Sequence, residues 1–187
     1  QLALLLAFAL ISGLIDLPAT LYQTFVLEQR FGFNQTTPGL WLSDLAKSTL
    51  LGALIGLPLA AAILWLMASA GSLWWLWAWV LWTGFNLLMV WAYPSFIAPF
   101  FNKFEPLGDE DLAARVKALM QRCGFTAKGF FVMDGSRRSA HANAYFTGFG
   151  ASKRVVFFDT LLKQLSPPEI DAVLAHELGH YKCRHIV

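Results

Sequence analysis

Charged residues are scarce in this sequence, and one long stretch has none. Only 14% of the 187 residues are Asp, Glu, Lys or Arg, whereas 57% are hydrophobic. A typical soluble domain carries about 25% charged residues. No charged residue occurs between Lys47 and Lys103, and twelve of the fourteen basic residues lie from Lys103 onward. This distribution argues against a soluble protein and predicts a membrane half followed by a water-facing half.

Cysteine and net charge are also low, and each excludes a class of protein. The two cysteines, Cys123 and Cys183, form no CxxC pair, so neither a disulfide framework nor a cysteine-ligated zinc site is indicated. The net charge is +2, and no block of basic residues alternates with aromatic ones. We therefore expect no nucleic acid as a partner. The long uncharged stretch instead predicts a lipid bilayer as a partner.

The uncharged stretch is long enough for two membrane-spanning helices. We predict spans at 48–67 and 73–93, because about twenty residues at 1.5 Å each cross a hydrocarbon core of about 30 Å. Pro94 is expected to end the second of these spans. The apolar run that opens the sequence predicts the truncated end of a further span, finishing near residue 15. Residues 1–94 are thus predicted to form a membrane region.

Basic residues predict the orientation of this multi-pass membrane protein. Arg30 and Lys47 should lie on the same side as the region from Lys103 onward, because two crossings separate them. The turn at 68–72, on the opposite side, has no basic residue. The positive-inside rule then places the water-facing domain in the cytoplasm. Depending on the source, the membrane would be the bacterial inner membrane or the endoplasmic reticulum.

Residues 95–187 show the patterns of a small α+β domain. Helical periodicity with acids at its start predicts a helix from Asp109 to Cys123. Residues 130–133 and 155–158 predict short strands, and 144–149 a further strand that can lie at a sheet edge. Ser166 and Glu169 form a capping box, and Pro167 suits the first helical position, which predicts the start of the last helix.

The last predicted helix carries His176, Glu177 and His180. Residues four apart lie on one helical face, so the two imidazoles can share one Zn²⁺. Glu177 is turned about 100° from His176. It is therefore better placed to act as a general base on a zinc-activated water than to serve as a ligand. The motif predicts a zinc-dependent metallopeptidase with one Zn²⁺ per active site.

A third zinc ligand is not evident in the sequence. His185 follows His176 by nine residues, about half a turn around a straight helix, and no glycine bends the chain between His180 and His185. We therefore do not expect His185 to be a ligand. The third ligand is predicted beyond Val187, so that residues 1–187 alone would bind zinc weakly and catalyse nothing.

Several long strings resemble the CAAX prenyl protease 1 family of integral-membrane zinc metalloendopeptidases. The likeness covers nearly the whole chain, and its markers are LPATLYQTFVLEQRFGFN at 17–34, IAPFFNKFEPL at 97–107, FVMDGSRRSAHANAYFTGFG at 131–150, KRVVFFDTLL at 153–162 and EIDAVLAHELGHYKCRH at 169–185. The resemblance implies a mainly α-helical membrane protein with a small α+β zincin-like metallopeptidase domain. Residues 95–187 would be the N-terminal part of that domain.

The resemblance also implies roles for individual residues. His176 and His180 would bind zinc, Glu177 would be the catalytic base, and the third ligand would be a Glu on a later helix. The substrate would be a peptide or protein, such as a prenylated C-terminal CAAX segment. Asn143 would lie near the substrate backbone at the edge strand. From the residues alone, Asn143 and His141 are equally well explained by local hydrogen bonds in a loop.

The position of two arginines and two alternatives to the CAAX-type function stay open. Arg137 and Arg138 can face lipid headgroups, a substrate carboxylate or, as we expect, solvent. The protein can also be a quality-control membrane metalloprotease of the heat-shock type, although the string at 17–34 is absent from those relatives. Finally, it can be a non-catalytic membrane scaffold with a vestigial motif, although the intact Glu177 argues against that function.

Overall fold

The structure is a computed structural model, which describes residues 1–125, 127, 129–147 and 154–183. The chain divides into two compact units, Gln1–Val90 and Trp91–Val187. The first unit is helical, and the second contains a small sheet with helices. The predicted combination of membrane helices with a small α+β region is therefore confirmed.

Long apolar helices make up the first unit. They are α1 (Leu2–Tyr22), α2 (Pro38–Ser69) and the greater part of α3 (Trp74–Ala92). Three helical segments of the described chain are long and apolar enough to cross a membrane: Leu2–Glu28, Pro38–Ser69 and Gly71–Phe101. The predicted turn after the second span is present, with α2 ending at Ser69 and Gly71 adopting a φ of +60°.

The first helix is longer than the span predicted to finish near residue 15, and the boundary of that span stays a prediction. Helix α1 contains Pro18 and runs to Tyr22, and a π-helical turn extends it through Gln23–Glu28. Proline removes one backbone donor, which ends many helices in water. A helix in lipid tolerates that loss, because unwinding would expose further backbone groups to hydrocarbon.

The other two helices also extend beyond the spans predicted at 48–67 and 73–93, whose boundaries in the bilayer stay predictions. Helix α2 starts at Pro38, after the N-cap Thr37, and its 32 residues measure about 48 Å, well above the ~30 Å hydrocarbon core. Pro94 does not end the last helical segment. The helix widens there into a π-helical segment, Tyr93–Ile97, whose larger turn leaves room for the proline ring.

The second unit is built around a four-stranded sheet. Its strands are β1 (Phe104–Pro106), β2 (Gly129–Met133), β3 (Ala144–Thr147) and β4 (Arg154–Phe158), in the spatial order β1-β2-β4-β3. Strands β2 and β4 are parallel, whereas β1 and β3 pair antiparallel with their neighbours. Strand β3 is an edge strand. Of the segment predicted as a strand at 144–149, residues 148 and 149 lie outside the described residues.

Helices cover one face of this sheet. They are α5 (Glu110–Arg122), α6 (Asp159–Gln164) and α7 (Pro167–Lys182), and a short α4 (Ala98–Phe101) precedes β1. The core between helices and sheet contains Leu112 and Val116 of α5, Val155 and Phe157 of β4, and Leu174 of α7, all buried. The capping residues of α5 are as predicted, because the Asp109 side chain accepts a hydrogen bond from the Leu112 N–H at 2.9 Å.

The opposite face of the sheet meets the segment that follows α3. A cavity of about 70 Å³ separates Pro94 and Pro99 from side chains of the three longer strands, among them Phe131, Tyr145 and Val156. Burial raises the pKa of the Tyr145 hydroxyl above its ordinary value, and neighbouring Tyr93 raises it further. The sheet therefore has an interior on both sides.

Candidate metal centre

Helix α7, which carries the motif, begins with a capping box in its first turn. The Glu169 carboxylate accepts hydrogen bonds from the Ser166 N–H at 2.7 Å and from the Ser166 hydroxyl at 2.5 Å. The hydroxyl and then the N–H of Ser166 lower the pKa of Glu169. Pro167 is the first helical residue. The predicted start of the helix is therefore confirmed.

The buried face of α7 determines where the histidines point. Ile170, Leu174 and Leu178 recur every four residues and are all buried in the core. His176 follows Leu174 by two residues, which is about 200° around the helix. It is exposed, and His180, one turn later on the same face, is half-buried. Core packing thus turns both imidazoles away from the buried core.

The two imidazoles converge on a common point. His176 Nε2 and His180 Nε2 lie 3.0 Å apart, and the two ring planes are inclined by 84° with centroids 4.6 Å apart. Two nitrogens bound to one tetrahedral ion at 2.0–2.1 Å would be about 3.3–3.4 Å apart. The observed separation is within a few tenths of an ångström of that value, so this donor pair fits a zinc ion as two of its ligands.

The described part of the chain supplies no complete metal site. Within those residues, no group of three or more His, Cys, Asp or Glu side chains is arranged to hold an ion. Glu177 occupies the same helical turn as the histidines and is half-buried. His185 lies outside the described residues. The pair of histidines is therefore at most half of a tetrahedral coordination shell.

The edge strand β3 lies beside α7 and begins directly after Asn143. The Asn143 carbonyl accepts a hydrogen bond from the Phe158 N–H at 2.9 Å, which extends the pairing of β3 with β4 by one residue. The side chain of Asn143 is exposed. Its predicted contact with a substrate backbone stays a prediction.

The neighbouring polar residues have different surroundings. The His141 carbonyl accepts a hydrogen bond from Thr160 Oγ1 at 2.7 Å, so its backbone holds the loop in place. Arg137 is exposed and pairs with Asp134 at 3.2 Å. Arg138 is half-buried and bonds to Phe101 and Asn102. The solvated position expected of both arginines is therefore wrong for Arg138.

Comparison with known proteins identifies the family. A family model described as the CAAX prenyl protease N-terminal region, with five membrane helices, matches residues 1–103. A second model, peptidase family M48, matches residues 106–187.

This chain belongs to the CAAX prenyl protease family.

Curated relatives of this CAAX prenyl protease family member come from distant eukaryotes. The CAAX prenyl protease 1 homolog of Arabidopsis thaliana is 44% identical over 93% of this chain and 41% of the relative. CAAX prenyl protease 1 of Saccharomyces cerevisiae is 44% identical over 95% of this chain and 39% of the relative. The Homo sapiens homolog is 34% identical over all of this chain and 47% of the relative. The chain thus spans less than half the length of each.

A solved structure shares the fold of this family member. The crystal structure of S. mikatae Ste24p superposes with a TM-score of 0.92 at 43% sequence identity, covering 98% of this chain and 43% of that chain. The fold and the membrane character that the sequence predicts are therefore confirmed.

Proposed function

We propose that the protein is a zinc-dependent membrane metalloendopeptidase that cleaves near the C-terminus of prenylated CAAX proteins. The observation that carries this proposal is the convergence of His176 Nε2 and His180 Nε2, 3.0 Å apart, beside Glu177 on one turn of α7. The family and the names of the relatives support the substrate class. Residues 95–187 would be the N-terminal part of the metallopeptidase domain.

His176 and His180 would hold the zinc ion in this proposal. The third ligand would be a carboxylate outside residues 1–187. When bound, the ion would polarise the scissile carbonyl and stabilise the negative charge that develops on its oxygen. The imidazoles bind in their neutral form through Nε2, which is the nitrogen that each ring directs towards the other.

Glu177 would move the protons of the reaction. Its carboxylate accepts a proton from the attacking water as the oxygen–carbon bond forms. It then delivers that proton to the departing amine nitrogen as the carbon–nitrogen bond breaks. One water molecule is consumed and the carboxylate is regenerated, so the residue acts first as base and then as acid.

The edge of β3 would bind the substrate backbone. An extended peptide can add as a further strand to an exposed edge, through main-chain hydrogen bonds. Strand β3 lies beside α7, so a peptide bound there would run near the two histidines. Asn143, at the start of the strand, would contact this peptide.

Replacing Glu177 by Gln tests the mechanism. We expect the E177Q variant of the intact protein to retain its zinc, measured by elemental analysis. Cleavage of a farnesylated CAAX peptide should fall by about 10²–10⁴-fold, the usual worth of a general acid–base. The matched control is Glu169→Gln, the capping acid on the same helix, which should leave the turnover number unchanged. Retained cleavage by E177Q would contradict the proposed role of Glu177 as general base.

A second experiment distinguishes CAAX processing from a general protease activity. The intact protein is offered the same peptide with and without its farnesyl group. Preferential cleavage of the farnesylated peptide supports CAAX processing, whereas equal cleavage of both indicates a quality-control protease. Absence of cleavage of either, with zinc bound, contradicts the enzymatic function.

We also propose that the second unit faces the cytoplasm. Arg30 and Lys47 precede α3, whereas the Gly71–Leu73 turn between α2 and α3 has no charged residue, as the positive-inside rule requires. Cys183 is exposed in the second unit. A membrane-impermeant maleimide should therefore label it only from the cytoplasmic side. Labelling from the other side would reverse the orientation.

A further inference from the structure

The loop between β2 and β3 is bound along one side by α6. This connecting loop, residues 134–143, leads directly into the edge strand. Its contacts with α6 are Ser136 N–H to Asp159 Oδ1 at 2.8 Å, Ser136 Oγ–H to Asp159 Oδ2, Gln164 Nε2–H to the Ala140 carbonyl at 2.9 Å, and Thr160 Oγ1–H to the His141 carbonyl at 2.7 Å. These bonds anchor the backbone of the loop at three points.

Arg138 anchors the same loop to a different element. Its guanidinium donates from Nη2 to the Phe101 carbonyl at 2.7 Å and from Nη1 to Asn102 Oδ1 at 2.8 Å. Phe101 is the last residue of α4 and of the helical segment Gly71–Phe101 that is able to cross a membrane. A planar guanidinium can bind two such acceptors at once, whereas a single ammonium cannot present two fixed parallel donors. The contact therefore ties the connecting loop to the end of this helix.

The position of Arg138 gives this contact a consequence for the active site. Four residues separate it from Asn143, and β3 begins at the residue after Asn143. The start of the edge strand is thus held between α6 on one side and the end of α4 on the other. Without the guanidinium, the loop would keep its bonds to α6 and the pairing of Asp134 with Lys103, where the Lys103 N–H donates to Asp134 Oδ1 at 2.7 Å. It would lose the attachment of its middle to Phe101 and Asn102, while the core of α7 that orients the histidines would be unchanged.

We propose that Arg138 is a positioning residue for substrate binding at the edge of β3. It acts by fixing the connecting loop, and with it Asn143, to the end of the helix that leaves the membrane. This inference rests on the proposed peptidase function. The bonds of Arg138 to Phe101 and Asn102 involve neither the histidines nor Glu177, so its removal should weaken substrate binding and spare the chemical step.

Arg137 provides a matched control in the adjacent position. Its side chain is 47% exposed, and its guanidinium pairs with Asp134 three residues before it. Exposed ion pairs of this kind are worth little. The two variants Arg138→Ala and Arg137→Ala remove the same group from neighbouring residues of the same loop, and they differ in the anchor that is lost.

The test compares KM and kcat of the intact protein with a farnesylated CAAX peptide in phosphatidylcholine vesicles. We expect R138A to raise KM about tenfold, the order of effect of losing a charged hydrogen-bond donor, with kcat and zinc content near those of wild type. R138K should lie between R138A and wild type, and added methylguanidinium should lower the KM of R138A alone. R137A should match wild type.

Two outcomes would contradict the positioning role of Arg138. The first is equal KM values for R138A and R137A. The second is a fall in kcat with loss of zinc in R138A, which would indicate a structural role for Arg138. Should R138A fail to accumulate in membranes, Asn102→Ala removes one acceptor and leaves Arg138 in place. A KM for N102A equal to that of wild type would then contradict the proposal. If wild type itself cleaves nothing, the proposed function fails, which is a separate result.

Discussion

The two units of this chain use hydrophobic residues in opposite ways. In α1, α2 and α3, all of whose residues the structure describes, no residue is buried, and Leu4 and Leu54 are 75% and 68% exposed. In the second unit Val116, Val155 and Leu174 are completely buried. Lipid is as apolar as a protein interior, so the first unit can leave its apolar surface outside. The same surface in the second unit has to be enclosed.

Polar residues show the reverse arrangement. Within residues 1–90, all of which the structure describes, the buried residue is Asn34, in the loop between α1 and α2. Its side chain donates to Gln29 Oε1 at 2.9 Å and accepts from the Thr36 N–H at 2.8 Å. These bonds satisfy polar groups where the chain is not helical. Burial in the first unit therefore marks hydrogen bonding, whereas in the second it marks mainly apolar packing, with Thr160 as a buried polar side chain that is also hydrogen-bonded.

The same truncation in the two units should have unequal effects. Leu161→Ala removes a side chain that is 2% exposed in the core, and we expect a loss of about 2–5 kcal/mol in the free energy of unfolding. Leu54→Ala, at a position 68% exposed in α2, should change it by no more than about 0.5 kcal/mol. Urea unfolding in detergent micelles measures both. Equal losses would mean that Leu54 is packed against protein.

An added charge should cost more free energy in the first unit than in the second, which reverses the order expected for Leu→Ala. Ala61 in α2 and Ala114 in α5 are both exposed helical alanines. Ala61→Asp places a carboxylate in lipid and should cost about 2.5–3.5 kcal/mol of apparent insertion free energy. Ala114→Asp faces water and should change stability by no more than about 0.5 kcal/mol. A glycosylation reporter for insertion and thermal unfolding give the two values. Full insertion of A61D would show that this face of α2 meets water or protein.

The contrast also explains which parts of the fold could be predicted. The periodicity and caps of α5 and α7 are rules of water-exposed helices, and both helices are found where these rules place them. Pro94 is expected to end its helix by the same rules, but the helix continues past it, because a helix in lipid tolerates the loss of one backbone donor. Strand β1 has three residues and includes Pro106. It carries no alternating pattern and depends on pairing with β2, so local sequence could not reveal it.

The residues of the candidate site also include some that local sequence predicts and some that it does not. His176, Glu177 and His180 occupy adjacent turns of one helix, so spacing alone predicts that the two imidazoles converge. Arg138 has its acceptor 36 residues away, at Asn102, and no local pattern links the two. Contacts made by the tertiary fold were therefore missed, whereas chemistry carried on one helix could be inferred.

The two N-caps allow a finer comparison of the units. Asp109 accepts from the Leu112 N–H at 2.9 Å, and Thr37 accepts from the Leu40 N–H at 3.2 Å. Asp109→Ala should cost about 1 kcal/mol, and Thr37→Ala less, because the Thr cap is the weaker one. Hydrogen exchange of the two first-turn amides measures the local loss, with Asp109→Asn as the control that keeps an acceptor. A larger loss at Thr37 would contradict this order.

The smallest expected effect is a dependence of stability on pH at Asp159. Burial acts to raise the pKa of this carboxyl, but hydrogen bonds from Ser136 and Lys163 outweigh it and leave the pKa below its ordinary value. Since the folded state favours the ionised form, its contribution to stability is complete above the ordinary pKa of about 3.9. It is lost as the pH falls through the lower folded pKa. The melting-temperature advantage of wild type over Asp159→Asn should therefore be constant near neutral pH and shrink below about pH 4. An advantage that persists at lower pH would show that the hydrogen bonds to Ser136, rather than the charge, hold the connecting loop on α6.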